Sequence, residues 1–376
     1  MRLLVISNCP LQLSQGSGYV VLRYAEGLRS RGHQLRLFGP EHFEPLPRLR
    51  GAARSWRLAV GMAWCAWREL GRAPADLVEF YGAESWLALA LLRALPRRPR
   101  LVLHANGLEP HFLGSLIAAS RQGMVHHPFA SWHQPNPIGL FHWAFRHADA
   151  LVTVSLAEGR YASAQRYQPA NRLLALPNPL DPLWLDQPIS PSAEPLIGSC
   201  GSWLASKGSP LLAEVLIGVL RRHSRWRLLL VGVGESFDPA AWFPADLLPR
   251  LELVPHEANK TRLQALYRRM AIACFPSLFE SFGLALAEAM SCGVACISTA
   301  TGFAADLLPG EQALLLPQPP SAASLEAALE QLIADPALRQ RIGRGGHAAV
   351  QALRWPEAIE RLESFYQLLL PAPARR

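Results

Sequence analysis

The sequence has no paired cysteines, no acidic metal motif, no long apolar run and almost no lysine, and each absence narrows what the chain can be. Its six cysteines (Cys9, Cys65, Cys200, Cys274, Cys292, Cys296) are scattered, without a Cys-x-x-Cys pair. That pattern indicates neither a zinc site nor a disulfide framework, and it fits a reducing cytoplasm. No Asp-x-Asp pair occurs, so no metal site is expected. No eighteen apolar residues run together without charge, so no membrane span is expected. The first ten residues lack a long apolar region and a small-residue cleavage site; they read as a first strand and not as a signal peptide. Only 18% of the residues are charged while 50% are hydrophobic, which excludes a disordered chain. At 376 residues the length prior is two domains with ample core.

Acid is scarcer than base. The formal net charge is +8 and the pI near 9.5, with arginine clusters at 93–100, 221–227 and 339–344. Such an excess favours anionic partners: nucleotide diphosphates, anionic lipid headgroups or nucleic acid. Nucleic acid is set aside, because no basic motif interleaved with aromatics and no zinc-finger spacing is present. Dispersed arginines are also what an ordinary solvated face carries.

What the chain does have is concentrated in residues 275–293, Phe-Pro-Ser-Leu-Phe-Glu-Ser-Phe-Gly-Leu-Ala-Leu-Ala-Glu-Ala-Met-Ser-Cys-Gly. The apolar run 271–275 reads as a strand ending at Pro276. Ser281 stands where an N-cap is expected, and Leu284, Ala287, Glu288 and Ala289 repeat at helical spacing until Gly293. A second buried strand, 294–299, and a small-residue loop, 300–303, follow. Backbone N–H groups of Ser281, Phe282 and Gly283 would then lie at a helix N-terminus, which favours a phosphate or carboxylate. Glu280 falls just ahead of that terminus and Glu288 about 10 Å further along at ~1.5 Å per residue. Two acids flanking an anion-binding helix end suit a nucleotide sugar, one for sugar hydroxyls and one for ribose hydroxyls. Read from spacing alone, a loop-capping Glu280 and an ordinary helix acid at 288 fit equally.

Glu280 and Glu288 resemble the Glu-x7-Glu motif of the retaining glycosyltransferases of family 4. The flanking Pro-Ser-x-x-Glu-x-x-Gly and Glu-Ala-Met-x-x-Gly resemble that family almost position by position. The resemblance implies an α/β protein of the GT-B fold: two doubly wound, Rossmann-like domains facing a cleft. It implies that Glu280 contacts the donor sugar, that Glu288 holds the ribose, and that Leu284 belongs to the donor site. The implied reaction is hexosyl transfer from a UDP- or GDP-type nucleotide sugar to an acceptor hydroxyl, with retention. The acceptor would be a glycan, a lipid-linked sugar or a small molecule. No cofactor or metal would be needed, and the setting would be cytoplasmic, with peripheral contact on the inner face of a membrane as an added expectation.

The rest of the chain is read around that stretch. Leu3 to Ser7 is a strand, Gly16-Ser17-Gly18 a turn into a helix closed by Arg31-Gly32-His33, and Gln34 to Phe38 the next strand. Small residues at the first turn let a backbone approach a ligand closely, and the family's matching loop lies over the donor diphosphate and the acceptor. Arg54 to Leu70, rich in tryptophan (Trp56, Trp64, Trp67), is expected to pack against the first domain's core, with an interfacial amphipathic helix as the alternative. Arg100 to His104 is a strand with His104 at its carboxyl end, where ligands gather in open α/β sheets. His104 is therefore a catalytic candidate, against a structural histidine as the plain alternative. Residues 112–139, with His126, His127 and His133, are expected to form an acceptor-side loop. Asp149 to Ser155 and Leu176 to Asp181 resemble further family segments. The proline-rich 183–195 is taken as the linker, which gives domains of 1–185 and 186–354, and a last helix, 355–372, is expected to return to the first.

The second domain opens with a strand, 196–200, then Gly201-Ser-Trp-Leu-Ala-Ser-Lys-Gly208 and a helix. Lys207 before a helix start can act as a point charge on a leaving diphosphate, and only Lys207 and Lys260 are lysines in the whole chain. Gly232 ends the next strand in a glycine turn. Ser202, counted with Gly201 in the donor site, stands where the family has arginine. That departure suggests one rival reading, a non-catalytic sugar-nucleotide binder; a nucleotide-sugar epimerase of the same fold is the other.

Overall fold

Twelve short apolar runs become strands, and all of them pair in parallel. The computed structural model describes residues 1–12, 16–44, 52–125, 138–189 and 194–370. Within these, two six-stranded sheets form. The first holds β1 (Arg2–Ser7), β2 (Gln34–Phe38), β3 (Leu77–Tyr81), β4 (Arg100–His104), β5 (Ala150–Thr153) and β6 (Leu173–Ala175), in the order β2-β1-β3-β4-β5-β6. The second holds β7 (Leu196–Cys200), β8 (Arg227–Val231), β9 (Leu251–Val254), β10 (Ile272–Phe275), β11 (Ala295–Thr299) and β12 (Leu314–Leu316), in the order β12-β11-β10-β7-β8-β9. The strands are apolar on both faces because helices cover both, as parallel sheets require.

The two faces of the first sheet can be assigned residue by residue. Leu3, Val5, Leu77 and Val102 pack with the helices Gly16–Ser30 and Trp355–Leu369. The alternate residues Leu4, Ile6, Val78, Phe80, Leu101 and Leu103 pack with Ala52–Arg72, Trp86–Arg93 and Ile138–His147. The last helix is thus part of the first unit, which comprises Met1–Gly114, Ser131–Pro179 and Trp355–Arg376; the second comprises Ser115–Ala130 and Leu180–Arg354. The division falls after Pro179, not after residue 185. Arg31-Gly32-His33 does more than end a helix. Gly32 takes the left-handed conformation (φ 85°), while Arg31 and His33 both bind Glu363 on the last helix, His33 Nε2 at 2.7 Å.

The strand orders differ between units. The second unit has the Rossmann order, with chain connections leaving in opposite directions from β7 and β10. The first is flavodoxin-like, with its switch between β1 and β3. In open α/β sheets ligands bind beyond the strand carboxyl ends at such a switch. In the second unit that point receives the loop after β7, residues 201–208, and the loop after β10, residues 276–283.

Candidate functional site

The two loops are locked together by backbone. Leu278 N–H donates to the Ser206 carbonyl (2.9 Å). Gly208 is left-handed (φ 74°), and a Cβ there would lie 2.1 Å from the Pro276 carbonyl oxygen. This close approach brings Lys207 to Glu280. Lys207 Nζ donates to Glu280 Oε1 at 2.7 Å, and Ser277 Oγ donates to the same oxygen at 2.8 Å. Both side chains keep solvent access, at 40% and 22% exposure. The ends of β7 and β10 therefore present one cation and one carboxylate side by side.

The helix starts later than its sequence suggests. It spans Leu284–Ser291, and its N-cap is Gly283 with φ 96° and ψ 58°. Ser281 is not the cap, because left-handed Gly283 breaks the helical run before it reaches 281. The N–H groups without an intrahelical acceptor are those of Leu284, Ala285 and Leu286, since Ala287 N–H is the first to bond back, to Gly283. Phe282 does not lie open to ligand. It is buried, stacks near Phe303 (5.4 Å between ring centres), and its carbonyl accepts from Phe303 N–H at 2.8 Å.

Glu288 sits one turn into this helix, half-buried, and accepts from Tyr267 Oη at 3.3 Å. Burial pushes its carboxyl up to about 7; the Tyr267 hydroxyl and the nearby Lys260 charge pull it the other way. Gly201 (φ 141°) and Gly232 (φ 81°) lie against one another, 3.5 Å separating the Gly201 nitrogen from where a Gly232 Cβ would stand. Ser202 is exposed at this edge. The structure thus assembles Lys207, Glu280, Gly201, Ser202, Gly232, Gly283, Leu284 and Glu288 at one end of one sheet. No group of three or more metal-binding side chains occurs among the described residues.

Gly302 was not singled out from sequence, and it supports the site from behind. It is left-handed (φ 56°), and a Cβ would meet the carbonyl oxygens of Phe282 at 2.6 Å and Glu280 at 2.9 Å. The signal was visible only as a small-residue loop. Gly302→Ala is expected to push the 280–282 backbone away from Lys207 and lower turnover about tenfold or more, in line with the cost of small misplacements in reacting groups. Steady-state kinetics beside a melting curve checks this; full activity in a folded variant would refute it.

The first unit gives a more mixed result. Gly16 and Ser17 are exposed and open the helix Gly16–Ser30. Gly18 is buried, and its missing Cβ makes room for the chain itself, 2.3 Å from the Pro10 carbonyl oxygen. His104 does end β4, but with no exposed surface. Its Nδ1 lies 2.7 Å from Glu79 Oε1, Tyr81 stacks on it at 4.5 Å, and Tyr24 lies at 5.3 Å. A side chain so enclosed cannot touch a substrate in this conformation, and the plain structural reading fits it better than the catalytic one. His126, His127 and His133 lie outside the described residues.

Sequence reasoning missed an acidic cluster at the first unit's own switch point. Asn8 Nδ2 donates to Glu84 Oε2 at 2.9 Å, Ala83 N–H donates to Glu109 Oε1 at 2.9 Å, and His111 Nδ1 lies 2.6 Å from Glu158 Oε1. Burial, with the Glu84 charge beside it, pushes Glu109 up to about 8. No motif flags these residues, because topology and not chain spacing brings them together.

Two six-stranded parallel sheets, the second with a Rossmann switch point that carries a lysine–glutamate pair beside a helix N-terminus, make up the GT-B fold. The comparisons agree. Residues 14–182 match the model "Glycosyltransferase Family 4" and residues 183–348 the model "Glycosyl transferases group 1". The chain belongs to glycosyltransferase family 4. Among curated relatives, it is 26% identical to the lipopolysaccharide core biosynthesis mannosyltransferase LpcC of Rhizobium leguminosarum bv. viciae, over 73% of this chain and 78% of that one. It is 29% identical to the D-inositol 3-phosphate glycosyltransferase of Corynebacterium jeikeium, over 48% of this chain and 45% of that one; the match spans under half of that relative. Among solved structures, sucrose-phosphate synthase from Thermosynechococcus elongatus superposes with a TM-score of 0.77 at 18% identity, covering 98% of both chains. Anabaena HepE, in complex with UDP and glucose, superposes with 0.66 at 16% identity, covering 98% and 99%.

Proposed function

We propose that this glycosyltransferase moves a hexose from a UDP- or GDP-type sugar to an acceptor hydroxyl with retention of configuration. The observation that carries the reading is the 2.7 Å pair between Lys207 and Glu280 at the switch point. Without donor, each neutralises the other. A donor diphosphate takes the lysine, as a charged donor on phosphate does, and frees the carboxylate for the sugar hydroxyls. The bond from the anomeric carbon to the diphosphate oxygen breaks, and the bond to the acceptor oxygen forms on the same face. The acceptor's proton leaves with the diphosphate. Lys207 and the N–H groups of Leu284, Ala285 and Leu286 oppose the charge that develops there, which offsets the arginine replaced by Ser202. Glu288 takes the ribose hydroxyls.

The acceptor belongs to the first unit, where Asn8 and Glu84, just beyond the ends of β1 and β3, offer polar partners to sugar hydroxyls. The relatives' printed activities, mannosyl transfer and inositol-phosphate glycosylation, point to a glycan or lipid-linked acceptor. Incubation with a panel of nucleotide sugars and acceptors tests the reading: nucleoside diphosphate must appear only when both are present. Consumption of donor without acceptor would indicate epimerisation instead, and tight binding without turnover a binder.

The same electrostatics predicts metal independence. Turnover is expected to persist in EDTA at its original rate. Loss of activity that manganese restores would show that a divalent ion supplies charge assigned here to Lys207 and the helix.

A further inference from the structure

The helix Lys260–Arg269 presses a phenol against the carboxylate read as the ribose ligand. Asn259 caps this helix, its side chain accepting from Thr261 N–H at 3.0 Å and from Arg262 N–H at 3.1 Å. Gln264 and Tyr267, three residues apart, share the inward face. Gln264 is buried, and its Nε2 donates to the Leu183 carbonyl at 2.8 Å. The helix ends at Met270, which lies against β7: a Cβ at Gly198 would stand 2.2 Å from Met270 Sδ. These anchors set Tyr267 between the end of β7 and the helix Leu284–Ser291.

Tyr267 has no exposed surface, and its ring meets Trp184 edge-on at 5.8 Å between centres. Its hydroxyl donates to Glu288 Oε2 at 3.3 Å and adjoins the thiol of Cys200, the last residue of β7. A phenol so enclosed cannot touch a ligand in this conformation. Glu288, by contrast, is half-buried, and its Oε1 takes no bond from the described residues. One carboxylate oxygen is held from inside the fold, and the other is left for a ligand. A buried hydroxyl costs stability unless it is bonded, so a ring kept only for packing would do better as phenylalanine.

We propose that Tyr267 is the positioning residue of the donor's ribose site, its hydroxyl fixing Glu288 Oε2 so that Oε1 meets the ribose hydroxyls. The inference rests on the reading of Glu288 as the ribose ligand. A glutamate side chain has several rotatable torsions, and ordering them at the moment of binding weakens affinity. The phenol orders them beforehand. It also acts on the charge. Burial pushes the Glu288 carboxyl up to about 7, while the Tyr267 hydroxyl and the Lys260 charge pull it down. Cys200 at the end of β7 and Cys292 on Glu288's own helix face the same carboxylate, and Arg268 lies by Cys292. Lys260 is itself held by Asp181 Oδ2 at 3.1 Å, whereas the phenol bonds the carboxylate directly.

Calorimetry with uridine and guanosine diphosphates, each beside its 2′-deoxy form, tests it across pH 6 to 9. The native chain is expected to prefer the ribose form of the base it binds by about tenfold, the weight of one hydrogen bond to a charged group. Tyr267→Phe keeps the ring, and a melting curve verifies its fold. It should weaken the ribose diphosphate about fivefold at pH 7, affect the deoxy form less, and move the midpoint of the pH profile up by about one pH unit, because the ionised carboxylate has lost its donor. On a Glu288→Ala background the same substitution should change nothing, since the phenol then has no carboxylate to aim. A signature free of any change at Tyr267 comes from tyrosine labelled with 13C at Cζ. One of the seven tyrosine resonances should move with a midpoint near 7 and stay still in Glu288→Gln. No binding of either diphosphate, or equal binding of ribose and deoxyribose forms, would overturn the ribose reading and the proposal with it. Ribose preference that Glu288→Ala removes, with Tyr267→Phe unchanged in affinity and midpoint or with no titrating tyrosine resonance, would overturn the positioning role alone.

Discussion

Glu280→Gln is expected to lower sugar transfer about 100-fold or more while leaving the affinity for free nucleoside diphosphate equal or slightly higher. Glu280 shares its Oε1 between Lys207 Nζ and Ser277 Oγ, and Oε2 takes no bond from the described residues. The carboxylate is thus anchored on one oxygen and open on the other, as a group that meets substrate must be. The amide keeps the shape and removes the charge that the sugar requires as positive character develops at its anomeric carbon. Losses of that size are usual when one electrostatic group of a preorganised site is removed. Free nucleoside diphosphate has no sugar to meet Glu280, and it gains a lysine that no longer has a competing carboxylate. Initial rates and calorimetry on the same preparation measure both halves. A parallel loss of nucleotide affinity would mean that Glu280 holds the nucleotide and not the sugar.

Glu288→Gln is expected to weaken nucleoside diphosphate binding tenfold or more at pH 8, because hydrogen bonds to a carboxylate contribute ~1.5–3 kcal/mol each. The pH dependence sharpens the test. Glu288 is pushed up to about 7 in the free protein, so it is mostly protonated below that pH. A ribose that binds the carboxylate form should bind progressively more weakly as pH falls through 7, and the Gln variant should show no such slope. Comparing the two proteins cancels the ligand's own titration.

Stability should move the other way. A carboxyl whose pKa is raised on folding favours the fold while protonated, and that contribution is lost as pH rises from about 4.5 through 7. The ionised Glu288 is therefore a cost above pH 7, and Glu288→Gln should melt higher than the native chain at pH 8. A variant both more stable and weaker in binding is what a residue kept for function gives. Unchanged affinity with an unchanged pH profile would remove Glu288 from the ribose site.

How far the sequence could be read depended on whether a feature is local. The strand–loop–helix around Glu280 was legible because proline, glycine and helical spacing mark it within twenty residues. Its detail was not: Ser281 looks like a cap, but φ 96° at Gly283 moves the helix start to Leu284, and any conformation of a glycine is compatible with its letter. The enclosure of His104 depends on Tyr24, Tyr81 and Trp355, the last 251 positions away, with Tyr24 packed edge-on to Trp355 at 5.0 Å. A histidine at a strand end reads the same whether or not a distant helix closes over it. The flavodoxin-like strand order of the first unit was likewise invisible, because strand sequence does not state strand neighbours. The Trp-rich helix carried both expectations at once: its inner face packs in the core and its outer tryptophans remain in solvent. Tryptophan at both kinds of position gives no contrast to read.

The most direct measurement is a crystal structure of the chain with a bound nucleoside diphosphate. A phosphate oxygen is expected on Lys207 Nζ and on the N–H groups that open the helix Leu284–Ser291, with the ribose hydroxyls on Glu288 and the Glu280 carboxylate released from the lysine. A nucleotide bound elsewhere, with the Lys207–Glu280 pair intact, would contradict it.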